Sequence, residues 1–342
     1  MKKLIPALLC GLYVLFTALF VSHWHIRQHE SPHMQIEIFA KQDARRPYVY
    51  RVLSPNVTYY LAQLAEGVGI EPKDIKKVNV LNKLISFHNV PDKSVLPYAV
   101  MLLFAFSLHL ITMFILKRLL ERVYSCSRPC AAIFPLFYTA MLFPFFPQAL
   151  YIYDFAVPLI WSLALLSLHS GKFPIYYLLL FLGILNKETM VLFTLVAAFF
   201  IDRSDFKKWR THMVAHVALF TLTWSIIYLL VDQGYAHTEY NNLIRDHWNK
   251  NLLAFWEWRV FTDYYSMATS LLILLFIFRR FRQRPRVIQC ALTPLPVLFL
   301  LYLRGGVWGE IRVFYEVMPF LSILIFYNFV ELLQDHKPLR QE

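Results

Sequence analysis

Charge is what this chain has least of. Asp, Glu, Lys and Arg make up 16% of its 342 residues, where globular proteins carry about a quarter. With 30 Phe and 20 Tyr, that shortage excludes a disordered chain, a collagen-like repeat and a water-soluble enzyme. Cysteine is scarce too. Cys10, Cys126, Cys130 and Cys290 make no disulfide framework for an extracellular domain. Cys126 and Cys130 have ligand spacing but no second pair to complete a tetrahedral metal site, so they read as ordinary thiols. No internal repeat is visible.

What is present is apolar: 58% of residues are hydrophobic, and the mean hydropathy of +0.47 makes lipid the main solvent. Apolar runs fall at about 4–21, 96–116, 131–146, 155–168, 175–201, 213–231, 264–278, 287–303 and 313–332. They imply an all-α polytopic membrane protein, a single integral domain over 1–342 with about ten membrane segments. The first run follows Lys2 and Lys3, and no small-x-small site precedes His23, so an uncleaved signal anchor is expected.

The run 175–201 is interrupted by Asn186-Lys187-Glu188-Thr189. It reads either as one helix with charges at its centre or as a broken hairpin with the polar tetrapeptide at its tip. The positive-inside rule decides. Basic clusters lie at 117–128, 203–210 and 279–286, and only the hairpin puts all three with Lys2 and Lys3 on the cytoplasmic side. On that topology 18 Lys and Arg with 6 Asp and Glu lie inside, against 16 and 16 outside, so the net charge of +12 is wholly cytoplasmic. Both termini are then cytoplasmic, in a multi-pass bacterial inner-membrane protein. Each hairpin half has 11 or 12 apolar residues, about 17 Å against a core of about 30 Å. The tip therefore belongs below the outer surface, in a hydrated or protein-lined cavity; the alternative is a tilted helix pair with Lys187 snorkelling outward.

Between the first two spans lies an outer loop over 23–95. Val49, Leu53, Val57, Tyr60 and Leu64 recur at helical spacing, as do Ile75, Val78, Leu81 and Ile85, which predicts two amphipathic helices on the membrane surface. Arg51 stands between Tyr50 and Val52, either forking onto a phosphate or anchoring the helix to lipid headgroups. His25 and His29 share a helical face, but Pro32 ends such a helix before His33, and with His23 they read as a wet juxtamembrane turn. A second outer loop, 232–263, holds Trp248, Trp256, Trp258, Tyr235 and Tyr240, an interfacial belt or a stacking surface for a sugar.

Charges at the ends of short membrane helices are costly unless paired or hydrated. Asp154 opens the fourth span, Lys187 and Glu188 form the hairpin tip, and Glu310, Arg312 and Glu316 open the last span, all on the outer side. Cytoplasmic charges lie in loops, so the expectation is a pocket at the outer surface. The structural alternative is ion pairing alone: Arg312 with Glu316 at i and i+4, Asp154 as a helix cap, Lys187 with any carboxylate.

The long first outer loop, Tyr153-Asp154 at a span start, the Leu-Asn-Lys-Glu-Thr turn and Glu310-Ile-Arg-Val-Phe-Tyr-Glu316 together resemble the GT-C superfamily of membrane glycosyltransferases. The resemblance implies transfer of a sugar from a polyprenyl-phosphate carrier to an envelope acceptor at the outer face. It implies a lipid-linked sugar and membrane lipids as partners, no nucleic acid and no cofactor, a divalent metal being the alternative. That superfamily commonly carries an acidic pair in the first outer loop, whereas Glu30, Glu37 and Asp43 are scattered here. The base is then expected from Asp154 first, or Glu188 or Glu310. Arg51, Lys187 and Arg312 are expected on the phosphate, with Tyr50, Asn186 and Glu316 in support. The other readings are a transporter or flippase for an anionic lipid-linked substrate, and a non-catalytic assembly subunit.

Overall fold

A computed structural model describes residues 4–23, 51–87, 90–124, 127–145, 151–230, 275–305 and 314–333. Tyr50, Glu310, Arg312, the histidines at 25, 29 and 33, Cys126, the aromatic loop 232–263 and most of the run 264–278 lie outside the described residues. Among those described, the regular structure is helical, with thirteen α-helices and no strand. Helix α1 is Leu4–His23; α2 Leu53–Gly67, α3 Pro72–Lys77 and α4 Asn79–Phe87 follow, then α5 Val95–Val123, α6 Arg128–Phe145, α7 Ile152–His169 and α8 Phe173–Asn186. A 3-10 turn, Glu188–Leu192, leads to α9 Phe193–Phe200, α10 Phe206–Leu230, α11 Arg286–Ala291, α12 Leu295–Gly305 and α13 Met318–Leu333.

Four helical stretches, Asp92–Val123, Ile152–His169, Phe206–Leu229 and Arg286–Arg304, are long and apolar enough to cross a membrane. Pro6–Ser22, Phe173–Asn186, Glu188–Phe200 and Met318–Leu332 are apolar but shorter. Helix α7 is the axis of the bundle. From Ile152 to Ile160 every residue is buried, and Trp161, Leu165 and Leu168 continue the core. Around it pack α5, α8, α2, α11 and α13. By contrast α10 shows Val214, Val217, Leu222, Tyr228 and Leu229 outward, the apolar exterior that a lipid-facing helix presents.

Residues 51–87, the described part of the loop after α1, form three short helices where the periodicity predicts two. Extended backbone at Val78 (φ −80°, ψ 104°) separates α3 from α4 inside the second apolar pattern. In α3, Lys77 and then the Glu71 N–H hold the Asp74 carboxyl below its ordinary value. On α2 the expected stripe is half-buried at Leu53 and Val57 and exposed at Tyr60 and Leu64. The buried side is instead Ser54, Pro55, Thr58 and Ala62. Small residues one turn apart let the α2 backbone approach α5 and α7 closely.

The tetrapeptide Asn186–Thr189 reverses the chain. Lys187 adopts extended backbone (φ −159°, ψ 127°) directly after α8, and the 3-10 turn brings Met190 back onto Gly183. A Cβ at Gly183 would lie 2.7 Å from Met190 Cε and 3.3 Å from its Cβ, so only glycine permits this approach without displacement. The return continues as Phe193 meets Tyr176 at 5.8 Å and Phe200 meets His169 at 6.4 Å between ring centroids. One continuous helix would separate these pairs by many turns.

Candidate functional site at the helix break

The break owes its position to hydrogen bonds from two other segments. Val52 N–H donates to Leu185 O (3.0 Å), and Ser54 Oγ donates to Asn186 Oδ1 (2.5 Å). Asn186 Nδ2 in turn donates to Tyr153 O (2.8 Å). The last turn of α8 is thus tied to the start of both α2 and α7, which fixes the side chains that follow it.

Two ion-pair groups sit there. Arg51 reaches across 137 residues of sequence to fork onto Glu188, Nε to Oε2 at 3.0 Å and Nη2 to Oε1 at 2.7 Å. Its Nη1 donates to the Tyr153 hydroxyl, and its Cζ lies 4.5 Å from the centre of that ring. A planar guanidinium is suited to hold a carboxylate bidentately while lying on an aromatic face. Beside it, Lys187 Nζ contacts Asp154 Oδ1 (3.2 Å) and Glu316 Oε1 (3.0 Å), and Thr189 Oγ1 donates to the same Glu316 oxygen (2.5 Å). Asp154 Oδ2 accepts the Tyr151 N–H at 3.0 Å and so also caps α7.

Six of the nine residues picked from the sequence, Arg51, Asp154, Asn186, Lys187, Glu188 and Glu316, therefore meet at one place. Tyr50, Glu310 and Arg312 fall outside the described residues, as does the expected Arg312–Glu316 pair. Tyr153 and Thr189, noted in the sequence only as parts of the Tyr-Asp and Leu-Asn-Lys-Glu-Thr motifs, belong to the network, as do Ser54 and Tyr151. Tyr151 and Tyr153 precede Asp154 in a Tyr-x-Tyr-Asp pattern, and the two rings stack at 5.3 Å; the alternation was the available signal.

Exposure separates the two groups. The side chains of Lys187, Asp154 and Glu316 are 6%, 1% and 0% exposed, whereas that of Glu188 is 31% exposed. Both oxygens of Asp154 are engaged within the protein, by Lys187 and by the α7 backbone. Glu316 keeps one buried oxygen, Oε2, without a hydrogen-bond partner. Glu188 is thus the carboxylate of the set that reaches solvent, and its partner is the Arg51 fork. Among the described residues no three His, Cys, Asp or Glu side chains come together to hold a metal ion.

The opposite end of the bundle departs from the sequence expectation that cytoplasmic charges lie in solvated loops. Arg284 is buried, forking onto Glu331 at 2.5 and 3.0 Å and donating to Asn328 Oδ1 at 2.5 Å. Asn328 Nδ2 continues to the carbonyls of Phe276 and Ile277. A residue from a strongly basic loop is drawn inward because one helix turn supplies both a carboxylate and an amide. Arg286 Nη2 donates to Phe199 O at 3.2 Å, tying α11 to the end of the returning chain.

No protein-family model matches this chain, and no curated protein or solved structure is detectably similar to it.

Proposed function

We propose that the chain is a membrane glycosyltransferase of ten membrane segments, with α8, the 3-10 turn and α9 as a re-entrant hairpin whose tip lies below the outer face of a bacterial inner membrane. It takes a sugar from a polyprenyl-phosphate carrier and transfers it to an envelope acceptor. The observation that carries this reading is the Arg51–Glu188 pair, in which Glu188 reaches solvent and Arg51 is buried, set on a buried framework at the helix break. In this reading Glu188 takes the proton of the acceptor hydroxyl. The acceptor oxygen bonds to the anomeric carbon as the bond from that carbon to the phosphate oxygen breaks. Arg51 holds the phosphate as it leaves, because its developing charge needs a fixed cation. Asp154, Lys187, Asn186 and Glu316 position the break rather than touch substrate, which moves Asp154 from first choice of base to a structural role. No metal enters the scheme.

Mass spectrometry of lipids retained by the purified protein tests it. A polyprenyl-phosphate sugar is expected, together with loss of transfer in Glu188→Gln at normal protein level. Unchanged surface glycans and lipid-linked sugar pools in that variant would refute it.

A second reading, a transporter or flippase for an anionic lipid-linked substrate, gains from the buried Arg284–Glu331–Asn328 cluster, because ion-paired groups then lie at both ends of the bundle. Substrate-driven flux in proteoliposomes without any new covalent bond would favour it over the enzyme.

A further inference from the structure

Glu188 is a weak base in the arrangement described, because the Arg51 fork donates to both of its oxygens and stabilises the carboxylate. We infer that the Arg51–Glu188 pair is an exchangeable lock: the phosphate of the carrier displaces Glu188 from the guanidinium, and the carboxylate released from the fork is then basic enough to take the acceptor's proton. The inference rests on the glycosyltransferase reading and adds an order to it, the lipid-linked donor binding before the acceptor.

Three features carry it. The fork that fits a carboxylate bidentately fits a phosphate in the same way, so the incoming group competes for the same donors without rebuilding the site. Solvent reaches the lock from the Glu188 side, that side chain being 31% exposed and the Arg51 side chain 10%, whereas the neighbouring Lys187–Asp154–Glu316 group is buried throughout. Finally, neither partner depends on the pair for its place. The Val52 N–H to Leu185 bond and the Ser54 to Asn186 bond hold the backbone beside Arg51, and the Tyr153 hydroxyl and ring hold the guanidinium itself. Glu188 is held by the extended Lys187 backbone and by Met190 N–H to Lys187 O at 3.0 Å. The side chain of Glu188 can therefore turn away while Arg51 stays to receive the phosphate. The arrangement also guards against waste, since a base released only by the donor phosphate is not available while the site is empty.

The test uses the full-length protein in detergent and a carboxyl-modifying carbodiimide, with labelling of Glu188 read by peptide mass spectrometry. The arms are farnesyl phosphate, farnesol, inorganic phosphate and no addition, with farnesyl phosphate retention measured in parallel. Farnesyl phosphate is expected to raise Glu188 labelling about tenfold, which corresponds to about 1.4 kcal/mol of lost pairing, and farnesol is expected to leave it unchanged. The same rise with inorganic phosphate would assign the trigger to the phosphate group alone; a rise with farnesyl phosphate only would assign it to the carrier. Arg51→Lys, which keeps the charge and removes the fork, is expected to label strongly in every arm. Retention of farnesyl phosphate with unchanged Glu188 labelling would overturn the lock and leave the glycosyltransferase reading standing. No retention of farnesyl phosphate would overturn both.

Discussion

Lys187 is the residue on which the buried part of the network depends. Its ammonium is shared by Asp154 and Glu316, both almost wholly buried. Removing one partner of a buried pair leaves uncompensated charge and costs about 3–5 kcal/mol. Lys187→Met is therefore expected to lower thermal stability in detergent by that order, and adding Glu316→Gln to it should recover part of the loss. If Lys187→Met melts like the wild type, the pairing is not structural. The sequence shows where such residues are, because each ionisable group inside an apolar run stands out on cost alone. It does not show who pairs with whom: nothing local connects Arg51 to Glu188, and the Tyr153-Asp154 motif marks a span start without showing that the Tyr153 hydroxyl meets Arg51.

At the scale of elements, the helix break was legible as a polar tetrapeptide between two runs too short to span, and charge by side selected the hairpin. The packing that closes it was not, since Gly183 looks like any other glycine until Met190 folds back on it. Gly183→Leu should overpack this contact and cost about 1–3 kcal/mol, and Met190→Ala in the same chain should relieve part of that cost; additive losses in thermal unfolding would contradict the contact. In α2 the apolar stripe expected on a membrane surface is exposed at Tyr60 and Leu64, and the face that packs on the bundle is the small one, Ser54, Thr58 and Ala62, because close backbone approach favours small side chains over a wide apolar stripe. Helix α3 carries a pH dependence of known sign. The folded-state carboxyl of Asp74 is held low by Lys77 and the Glu71 N–H, so its contribution is present above about pH 4, the unfolded carboxylate value, and fades as pH falls. Amide exchange across Pro72–Lys77, corrected for intrinsic rate, should accelerate on acidification through that range and not on alkalinisation from neutrality.

For the molecule as a whole, counting charge by loop gave a topology but no depth. It placed Arg284 among solvated cytoplasmic arginines, whereas Glu331 and Asn328 on α13 draw it into the structure. Glu316 and Glu331 lie fifteen residues apart along the last apolar segment, about 22 Å at helical rise, so the two networks should act independently. Arg284→Ala and Lys187→Met are expected to destabilise additively to within about 0.5 kcal/mol, while Arg284→Ala leaves sugar transfer intact in the folded fraction. The account's central claim is that chemistry occurs at the break, through Glu188. The direct measurement is transfer of sugar from a polyprenyl-phosphate donor by purified wild type and Glu188→Gln, with donor retention measured on the same samples. Loss of a general base predicts a rate lower by about 10²–10⁴-fold with the donor still bound; equal rates in the two proteins would contradict it.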